Sequence, residues 1–365
     1  MTAPTDRLPQ LQRAMREQGV DLVAIGPTDA LRWLLGYDGS EADERQTTLL
    51  VWCDDAAMIL PDFCAGGWTA VAGRPPLLTW SDRGGPGAAV AAALARQPAP
   101  AFALVDDEMP FHAFERLRPG LGPQPRPARD LLASLRLRKS AADVAAIARA
   151  GELISRAVDL AAAHAAPGMT ELELKRELER FLWDEGADAI DCVYVQAGAN
   201  AADPHHVGDR TPLRAGAPVL VDVVAHVDGR CADIAQVVHL GPPSDDYRAH
   251  YDAVSRAQEA GVRAAVVGAT SDDVARAATQ VILDAGLGAW NGPATGHGIG
   301  FSGHEPPRVV EGNRDPLPAG AVITVEPGVY VPGRWGIRVE DTVAVTPDGP
   351  VRLTRGARPL MVSAP

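Results

Sequence analysis

Two aspartates near the centre of the chain fall where a tight hairpin would bring their side chains together. The stretch VLVDVVAHVDGRCADIA contains the dipeptide Asp228-Gly229, which is typical of a two-residue hairpin turn. That turn pairs Asp222 with Ala235, and the strand period of two then places Asp233 on the same face as Asp222. Adjacent carboxylates repel each other, so a fold keeps them by protonating one or by placing a cation between them. The alternative is a register in which one aspartate faces water.

Three later stretches supply further groups that bind cations. The stretch GHGIG exposes His297, the alternating stretch AVITVE ends in Glu326, and a predicted strand at 337–345 carries Glu340. A charged carboxylate among apolar neighbours costs on the order of several kcal/mol without a partner. With the aspartates, these residues offer four carboxylates and one imidazole, a set suited to divalent cations. Four negative charges balance two dications, which favours a two-metal centre with ions about 3.5–4 Å apart.

The order and surroundings of these five residues resemble the pita-bread metallopeptidase family. The likeness is greatest to its proline dipeptidase branch (prolidase or Xaa-Pro dipeptidase, with aminopeptidase P). Successive ligands are separated by 11, 64, 29 and 14 residues, and the motifs GHGIG, HEPPR, TVEPGVY and IRVED surround them. A further motif of the family is similar to the PHH that ends at His206. The resemblance covers roughly residues 140–345, and the pattern is specific for the family.

The resemblance implies a role for each ligand. Asp222 would bind one metal alone, Asp233 and Glu340 would bridge two ions, and His297 and Glu326 would complete the second site. A hydroxide held between the ions would attack the peptide carbonyl, with Glu326 as the proton shuttle to the leaving nitrogen. Manganese or cobalt is the expected metal, with zinc and iron as alternatives, because oxygen-rich sites with one imidazole discriminate weakly.

Four further residues match substrate-side positions of the family. His205 and His304 would hydrogen-bond the peptide and stabilise the developing oxyanion, with His206 as the competing candidate at the first position. Arg308 and Arg338 bear on substrate length, because a guanidinium can hold a free carboxylate in bidentate fashion. Arg338 has a second interpretation, as the internal partner of a ligand carboxylate.

Two stretches depart from the family pattern. The usual Asp-x-Gly at the first ligand is Asp222-Val223-Val224, and the usual Thr-Arg-Thr after the second is Ala235-Gln236-Val237. Such supporting partners commonly change metal affinity or activity by roughly 10–100-fold. The two departures therefore leave the metal preference and the proline specificity open, whereas the five predicted ligands are unaffected.

Periodicity divides the chain into an N-terminal α/β domain and a larger α+β domain. Short apolar runs alternate with helical segments up to the Pro- and Gly-rich stretch 120–130, so we place the domains at 1–132 and 133–365. The second domain contains longer helices, at 141–163, 170–183, 247–265 and 271–285, beside mostly antiparallel strands. The resemblance identifies these parts as a creatinase-type N-terminal domain and a pita-bread catalytic domain. No internal repeat can be established from the sequence alone.

Composition excludes several classes of partner. The net charge of −13 argues against nucleic acid and anionic membranes, and no stretch has the length of a membrane span or signal peptide. The cysteines lack CxxC spacing, so we expect them to be reduced in a cytoplasmic protein and not to bind metal: Cys53, Cys64, Cys192 and Cys231.

We therefore expect a cytoplasmic dinuclear metallopeptidase, assembled as a homodimer, that cleaves short peptides and above all Xaa-Pro dipeptides. An aminopeptidase P-like enzyme and a C-terminal exopeptidase remain alternatives. So do a non-peptide C–N hydrolase and a non-catalytic binding protein on the same fold, although the intact ligand set argues against both. As in the family, the N-terminal domain could reach a partner's site, with Trp33 or Tyr37 lining the pocket.

Overall fold

A computed structural model describes residues 6–37, 45–69, 73–356 and 359–363. The chain divides into two compact units, residues 1–136 and 137–365. The predicted boundary after residue 132 falls inside the last helix of the first unit. Among the described residues, no helix combines the length and the apolar character needed to cross a bilayer.

The first unit is an α/β domain built on one six-stranded sheet. Its strands are β1 (Leu22–Ile25), β2 (Thr48–Trp52), β3 (Ala56–Pro61), β4 (Leu77–Trp80), β5 (Ala103–Val105) and β6 (Arg126–Pro127). Their order across the sheet is β4-β3-β2-β1-β5-β6. The helices are α1 (Arg7–Gln18), α2 (Asp29–Leu35), α3 (Ala65–Thr69), α4 (Gly87–Leu94), α5 (Phe111–Leu117) and α6 (Arg129–Arg136). Strands β1 to β3 are buried on both faces, as their unbroken apolar runs predict.

The two aromatic residues predicted to line a partner's pocket differ in their burial. Trp33 is only 2% exposed because the apolar face of α2 turns it into the domain core, so the prediction that it lines a partner's pocket is wrong. Tyr37 is half-buried and packs edge-on against Trp68, with ring centroids 5.3 Å apart. The guanidinium of Arg74 lies over the Tyr37 ring.

The second unit places two pairs of long helices beside antiparallel sheets, as predicted for an α+β domain. The helices are α7 (Ala141–His164), α8 (Glu171–Asp184), α9 (Asp245–Ala264) and α10 (Ser271–Asp284). The first strands are β7 (Ala189–Ala197), β8 (Pro218–Val227), β9 (Arg230–Leu240), β10 (Gly296–Gly298), β11 (Glu305–Val309) and β12 (Val322–Val325). The remaining strands are β13 (Gly328–Val331), β14 (Trp335–Arg338), β15 (Asp341–Thr346), β16 (Gly349–Arg352) and β17 (Met361–Ser363).

Three sheets share these strands, in the orders β17-β9-β8-β7, β11-β10-β12-β15-β16 and β13-β14. The predicted strand at 337–345 is not continuous. It stops at Arg338 in β14 and resumes at Asp341 in β15, which belongs to a different sheet. Glu340 therefore lies at a junction between sheets rather than within a strand.

The two helix pairs repeat one local design. Helices α8 and α10 both begin with a capping box, formed by Thr170 with Glu173 and by Thr270 with Asp273. Each threonine also forms an isolated bridge to a proline, Pro212 or Pro316. The resulting structural repeat consists of these caps and bridges, which need only a few matching residues, so it could not be established from the sequence.

Gly151 tests how closely α7 packs against the C-terminal segment. A Cβ at this position would overlap the carbonyl oxygen of Leu353. Gly151→Ala is therefore expected to destabilise the protein by about 1–3 kcal/mol, although alanine normally favours a helix over glycine by about 1 kcal/mol. Gly87→Ala in α4 is the control, because a Cβ there meets open space. This substitution should leave the free energy of unfolding unchanged or raise it. Denaturant titration measures the free energy of unfolding of both variants. Equal values for Gly151→Ala and the control would contradict the close packing at Gly151.

Candidate metal centre

The hairpin formed by β8 and β9 has the register predicted from the sequence. Asp228 and Gly229 both have positive φ, 53° and 66°, as a two-residue hairpin turn of this type requires. Asp222 lies opposite Ala235, and Asp233 lies opposite Val224. Both aspartates face the same side, and they are only 7% and 5% exposed.

Glycines bring the histidine close to this hairpin. His297 lies in the middle of β10, whose neighbours are β11 and β12. A Cβ at Gly296 would overlap the carbonyl oxygen of Thr324, and one at Gly298 would overlap that of Pro306. The glycines thus allow the close backbone approach that the GHGIG motif predicts.

Main-chain hydrogen bonds attach both glutamates to the elements that carry the other ligands. The Glu326 amide donates to the Thr295 carbonyl at 2.7 Å, just before the His297 strand. The Glu340 amide donates to the Ala235 carbonyl at 3.0 Å, on the strand of Asp233. Each glutamate is therefore fixed through its own backbone to the strand of a neighbouring ligand.

A pair of threonines between β12 and β15 also holds the ligands. Thr324 and Thr342 lie directly opposite each other in this strand pair. Thr342 Oγ1 accepts from the amide of Asp233 and donates to its carbonyl, both at 2.9 Å. Thr324 Oγ1 accepts from the His297 amide at 3.0 Å and donates to Glu326 Oε1 at 3.2 Å. Neither threonine was assigned a role in the sequence analysis.

The five predicted ligand side chains converge. His297 Nε2 lies 3.3 Å from Glu326 Oε1 and 3.8 Å from Asp233 Oδ2. Asp233, His297 and Glu340 each offer one ligand atom within 4.8 Å of the others. No described residue hydrogen-bonds four buried oxygens here: Asp222 Oδ1, Asp233 Oδ1 and both carboxylate oxygens of Glu340. Buried acceptors without donors are what a cation would satisfy, so the residues fit a divalent metal site.

Electrostatics point the same way. Burial, reinforced by the carboxylates of Asp222 and Glu326, raises the pKa of Asp233 well above its usual range. Burial and the neighbouring Asp233 do the same to the pKa of Glu340. Burial lowers the pKa of His297, which keeps the imidazole neutral and able to bind a metal. The raised pKa values show that Asp233 and Glu340 are unfavourable as bare carboxylates, and a bound cation would remove this cost.

Arg338 lies inside the centre and is engaged by protein groups. One Nη donates to Asp222 Oδ2, and the other donates to the Tyr330 hydroxyl at 2.8 Å. The guanidinium side chain is 5% exposed. These contacts favour the interpretation of Arg338 as an internal partner of a ligand carboxylate rather than as a substrate clamp.

A cavity of about 500 Å³ opens onto the ligands and contains the other predicted substrate residues. His205, His304 and Arg308 line it together with Asp222, Asp233, His297 and Glu326. The rings of His304 and His297 are 4.2 Å apart between centroids. Burial and this neighbouring ring lower the pKa of His304, so the imidazole is neutral near pH 7.

His206, the competitor of His205, has a different environment. Its Nε2 lies 2.9 Å from Glu171 Oε2 and 3.1 Å from Asn200 Nδ2. The fully buried Glu171 also accepts from the amides of Ala197 and Asp209. His206 thus anchors the loop on which His205 reaches the cavity.

The two departures from the family pattern also have distinct positions. Val224 lines the cavity beside Cys192, which is its partner across β7 and β8. Gln236 is fully buried, and its amide bonds Tyr251 and Gly356 rather than a ligand. Only the first departure therefore reaches the cavity.

Thr324→Val tests the threonine support. The variant keeps the shape but loses the hydroxyl that joins His297 to Glu326, so metal affinity should fall by roughly 10–100-fold. Thr324→Ser retains the hydroxyl and should remain within a few-fold of wild type. Competition with a chromophoric chelator measures both affinities, and equal affinities for the valine and serine variants would contradict the assigned role.

Glu340→Gln tests the buried charge. The raised pKa means that, without a cation, Glu340 holds its proton more tightly in the folded than in the unfolded chain. Stability of the cation-free protein therefore falls as pH rises from the ordinary carboxyl range toward neutrality. Glu340→Gln should make the stability of the cation-free protein depend less on pH and should raise its melting temperature near neutral pH. Divalent cations should then raise the melting temperature of the variant by less than that of the wild type. A less stable chelator-treated variant would contradict the account.

Comparison with known proteins agrees with the site. Residues 145–347 match the model of metallopeptidase family M24, and residues 7–138 match the creatinase/prolidase N-terminal domain. The chain is 34% identical to the probable dipeptidase PepE of Mycobacterium tuberculosis over 361 residues, 98% of this chain and 96% of that protein. It is 32% identical to the Xaa-Pro dipeptidase of Pyrococcus furiosus over 234 residues, 64% of this chain and 67% of that one.

Solved structures extend the likeness to the whole fold. The dipeptidase PepE of Mycobacterium ulcerans superposes with a TM-score of 0.92 at 35% identity, covering 100% of both chains. The prolidase of Thermococcus sibiricus gives 0.93 at 27% identity, covering 99% of this chain and 100% of the other. The chain belongs to metallopeptidase family M24, with a creatinase-type N-terminal domain and a pita-bread catalytic domain.

Proposed function

We propose that this metallopeptidase hydrolyses dipeptides, with Xaa-Pro as the preferred bond. The observation that carries the proposal is the position of Arg308. It lies directly across the β10–β11 pair from His297, and both residues line the cavity. A substrate carboxylate held at Arg308 would leave room for about one residue between itself and a scissile carbonyl at the metal ligands.

The five converging side chains are proposed to hold two divalent ions. Asp222 would bind one ion, Asp233 and Glu340 would bridge both, and His297 and Glu326 would complete the second position. Manganese or cobalt is the proposed metal, with zinc and iron as alternatives. Bound there, the metal pair would supply a hydroxide nucleophile and polarise the carbonyl.

The protein's own groups would handle protons and orientation. Glu326 would take the proton of the attacking hydroxide and pass it to the leaving nitrogen. His205 and His304 would donate hydrogen bonds to the developing oxyanion, an interaction typically worth about 3 kcal/mol. Arg338 would keep Asp222 in place through its existing ion pair.

Preference for proline rests on the relatives, of which several are named Xaa-Pro dipeptidase. Val224, where the chain departs from the family pattern, lines the cavity. A C-terminal exopeptidase is the second candidate, because Arg308 would serve it equally well. Homodimer assembly and a cytoplasmic location stay predictions.

Arg308→Met is the direct test of the proposed carboxylate site. Loss of a charge-assisted hydrogen bond, about 1.5–3 kcal/mol, should lower kcat/KM for Xaa-Pro dipeptides by roughly 10–100-fold. The same dipeptides with an amidated C-terminus lack the carboxylate and should be hydrolysed equally by wild type and variant. Arg308→Lys should recover part of the loss, since it restores charge without the planar fork.

A substrate panel separates the candidates. Chelator-treated enzyme is reloaded with each metal and assayed on Xaa-Pro dipeptides, Xaa-Pro-Xaa tripeptides and N-blocked peptides. The proposal expects dipeptides to dominate. Preferred release of the last residue from blocked peptides would establish the exopeptidase, preference for tripeptides would establish an aminopeptidase, and no turnover with any metal would overturn the assignment.

A further inference from the structure

A second group of metal-binding side chains lies farther along the ligand face of the hairpin, nearer its turn. Asp191, His226 and Cys231 each present one ligand atom, and these atoms lie within 4.8 Å of one another. None of the three belongs to the catalytic set. We propose that they form a separate site for one cation of borderline softness, such as Zn²⁺ or Co²⁺.

The strand register builds this group. His226 pairs directly with Cys231 across β8 and β9, so their side chains share a face. Asp191 occupies the irregularity between Ile190 and Cys192 in the β7–β8 pairing. Such a bulge re-aims a side chain, and here Asp191 Oδ1 comes within 2.9 Å of His226 Nε2.

The chemistry of the three groups selects the ion. Thiolate, imidazole and carboxylate are the ligands that zinc accepts in tetrahedral sites, and three protein ligands leave a fourth position for water. The cation would replace the thiol proton of Cys231, which would leave to solvent.

The three proposed ligands differ in their exposure to solvent. The Asp191 side chain is 43% exposed and offers a route from solvent, whereas the His226 side chain is only 6% exposed. Cys231 is fully buried. The cysteine spacing gave no reason to expect this role, because the three ligands come from three strands and meet only through the fold.

The site stands behind the loop that presents His304. The Cys231 amide donates to the Gly300 carbonyl at 2.9 Å. A Cβ at Gly303 would lie 2.9 Å from Asp191 Oδ2, so the loop backbone passes close to this carboxylate. Cys231 is two residues from Asp233 along β9, about 7 Å, which separates the site from the catalytic ligands.

Cobalt provides a readout that does not depend on peptide hydrolysis. Chelator-treated full-length protein is titrated with Co²⁺ while its absorption spectrum is recorded. A thiolate ligand produces a near-ultraviolet charge-transfer band, which the oxygen- and imidazole-based catalytic set cannot produce. Wild type should develop the band and bind one more equivalent of cobalt than Cys231→Ser, which should lack the band.

Two variants complete the test. Cys192→Ser removes the thiol that lines the catalytic cavity and should keep the band. Asp191→Asn changes an exposed ligand, so it should fold normally and shift half-saturation of the band to higher cobalt concentration, even if Cys231→Ser fails to fold. The site is disproved if cobalt-saturated wild type has no thiolate band, if Cys192→Ser abolishes it, or if Asp191→Asn leaves the titration unchanged.

Discussion

Repulsion among carboxylates buried together at the junction of the sheets is the constraint on which this structure depends. Asp222, Asp233 and Glu340 are at most 7% exposed, and Glu326 lies beside them against His297. Left ionised and uncompensated, such a group would oppose folding. Arg338, which donates hydrogen bonds to Asp222 and Tyr330, supplies only one positive charge. Divalent cations would supply the counter-charge that lets the second unit keep these carboxylates ionised.

The scaffold around the carboxylates is rigid for the same reason. Backbone amides of Glu326 and Glu340 donate to the strands of neighbouring ligands, and the facing pair Thr324 and Thr342 ties three ligands to β12 and β15. These bonds fix the ligands before any cation arrives, which limits the reorganisation that binding requires. Metal affinity and fold stability are thus coupled in the second unit.

The sequence was most informative where local rules decide geometry. The Asp228-Gly229 turn set the hairpin register, and with it the shared face of Asp222 and Asp233. Motif spacing singled out five side chains that converge in the fold, although they are far apart along the chain. The supporting roles of Thr324 and Thr342 were not predicted, because a hydroxyl in a strand has no signature that reveals its hydrogen-bond partner.

What the sequence could not predict depends on tertiary contacts. The interruption of the strand before Glu340 follows from a change of sheet. From the sequence, Arg338 could pair with a ligand carboxylate, but that carboxylate could not be identified as Asp222, because the pair joins residues from two sheets. Trp33 was expected to line a partner's pocket, yet α2 buries it in the core of its own domain. The two helix pairs repeat the same caps and bridges. A few similar residues are enough to form these features, which is too little similarity to establish a repeat from the sequence.

The most direct measurement is a crystal structure of the manganese-loaded protein with anomalous diffraction data collected at the metal edge. The account predicts two anomalous peaks within one cavity, with Asp233 and Glu340 contacting both and His297 contacting one. A cavity without peaks at saturating manganese, or peaks that leave Glu340 and Asp222 unbound, would contradict it.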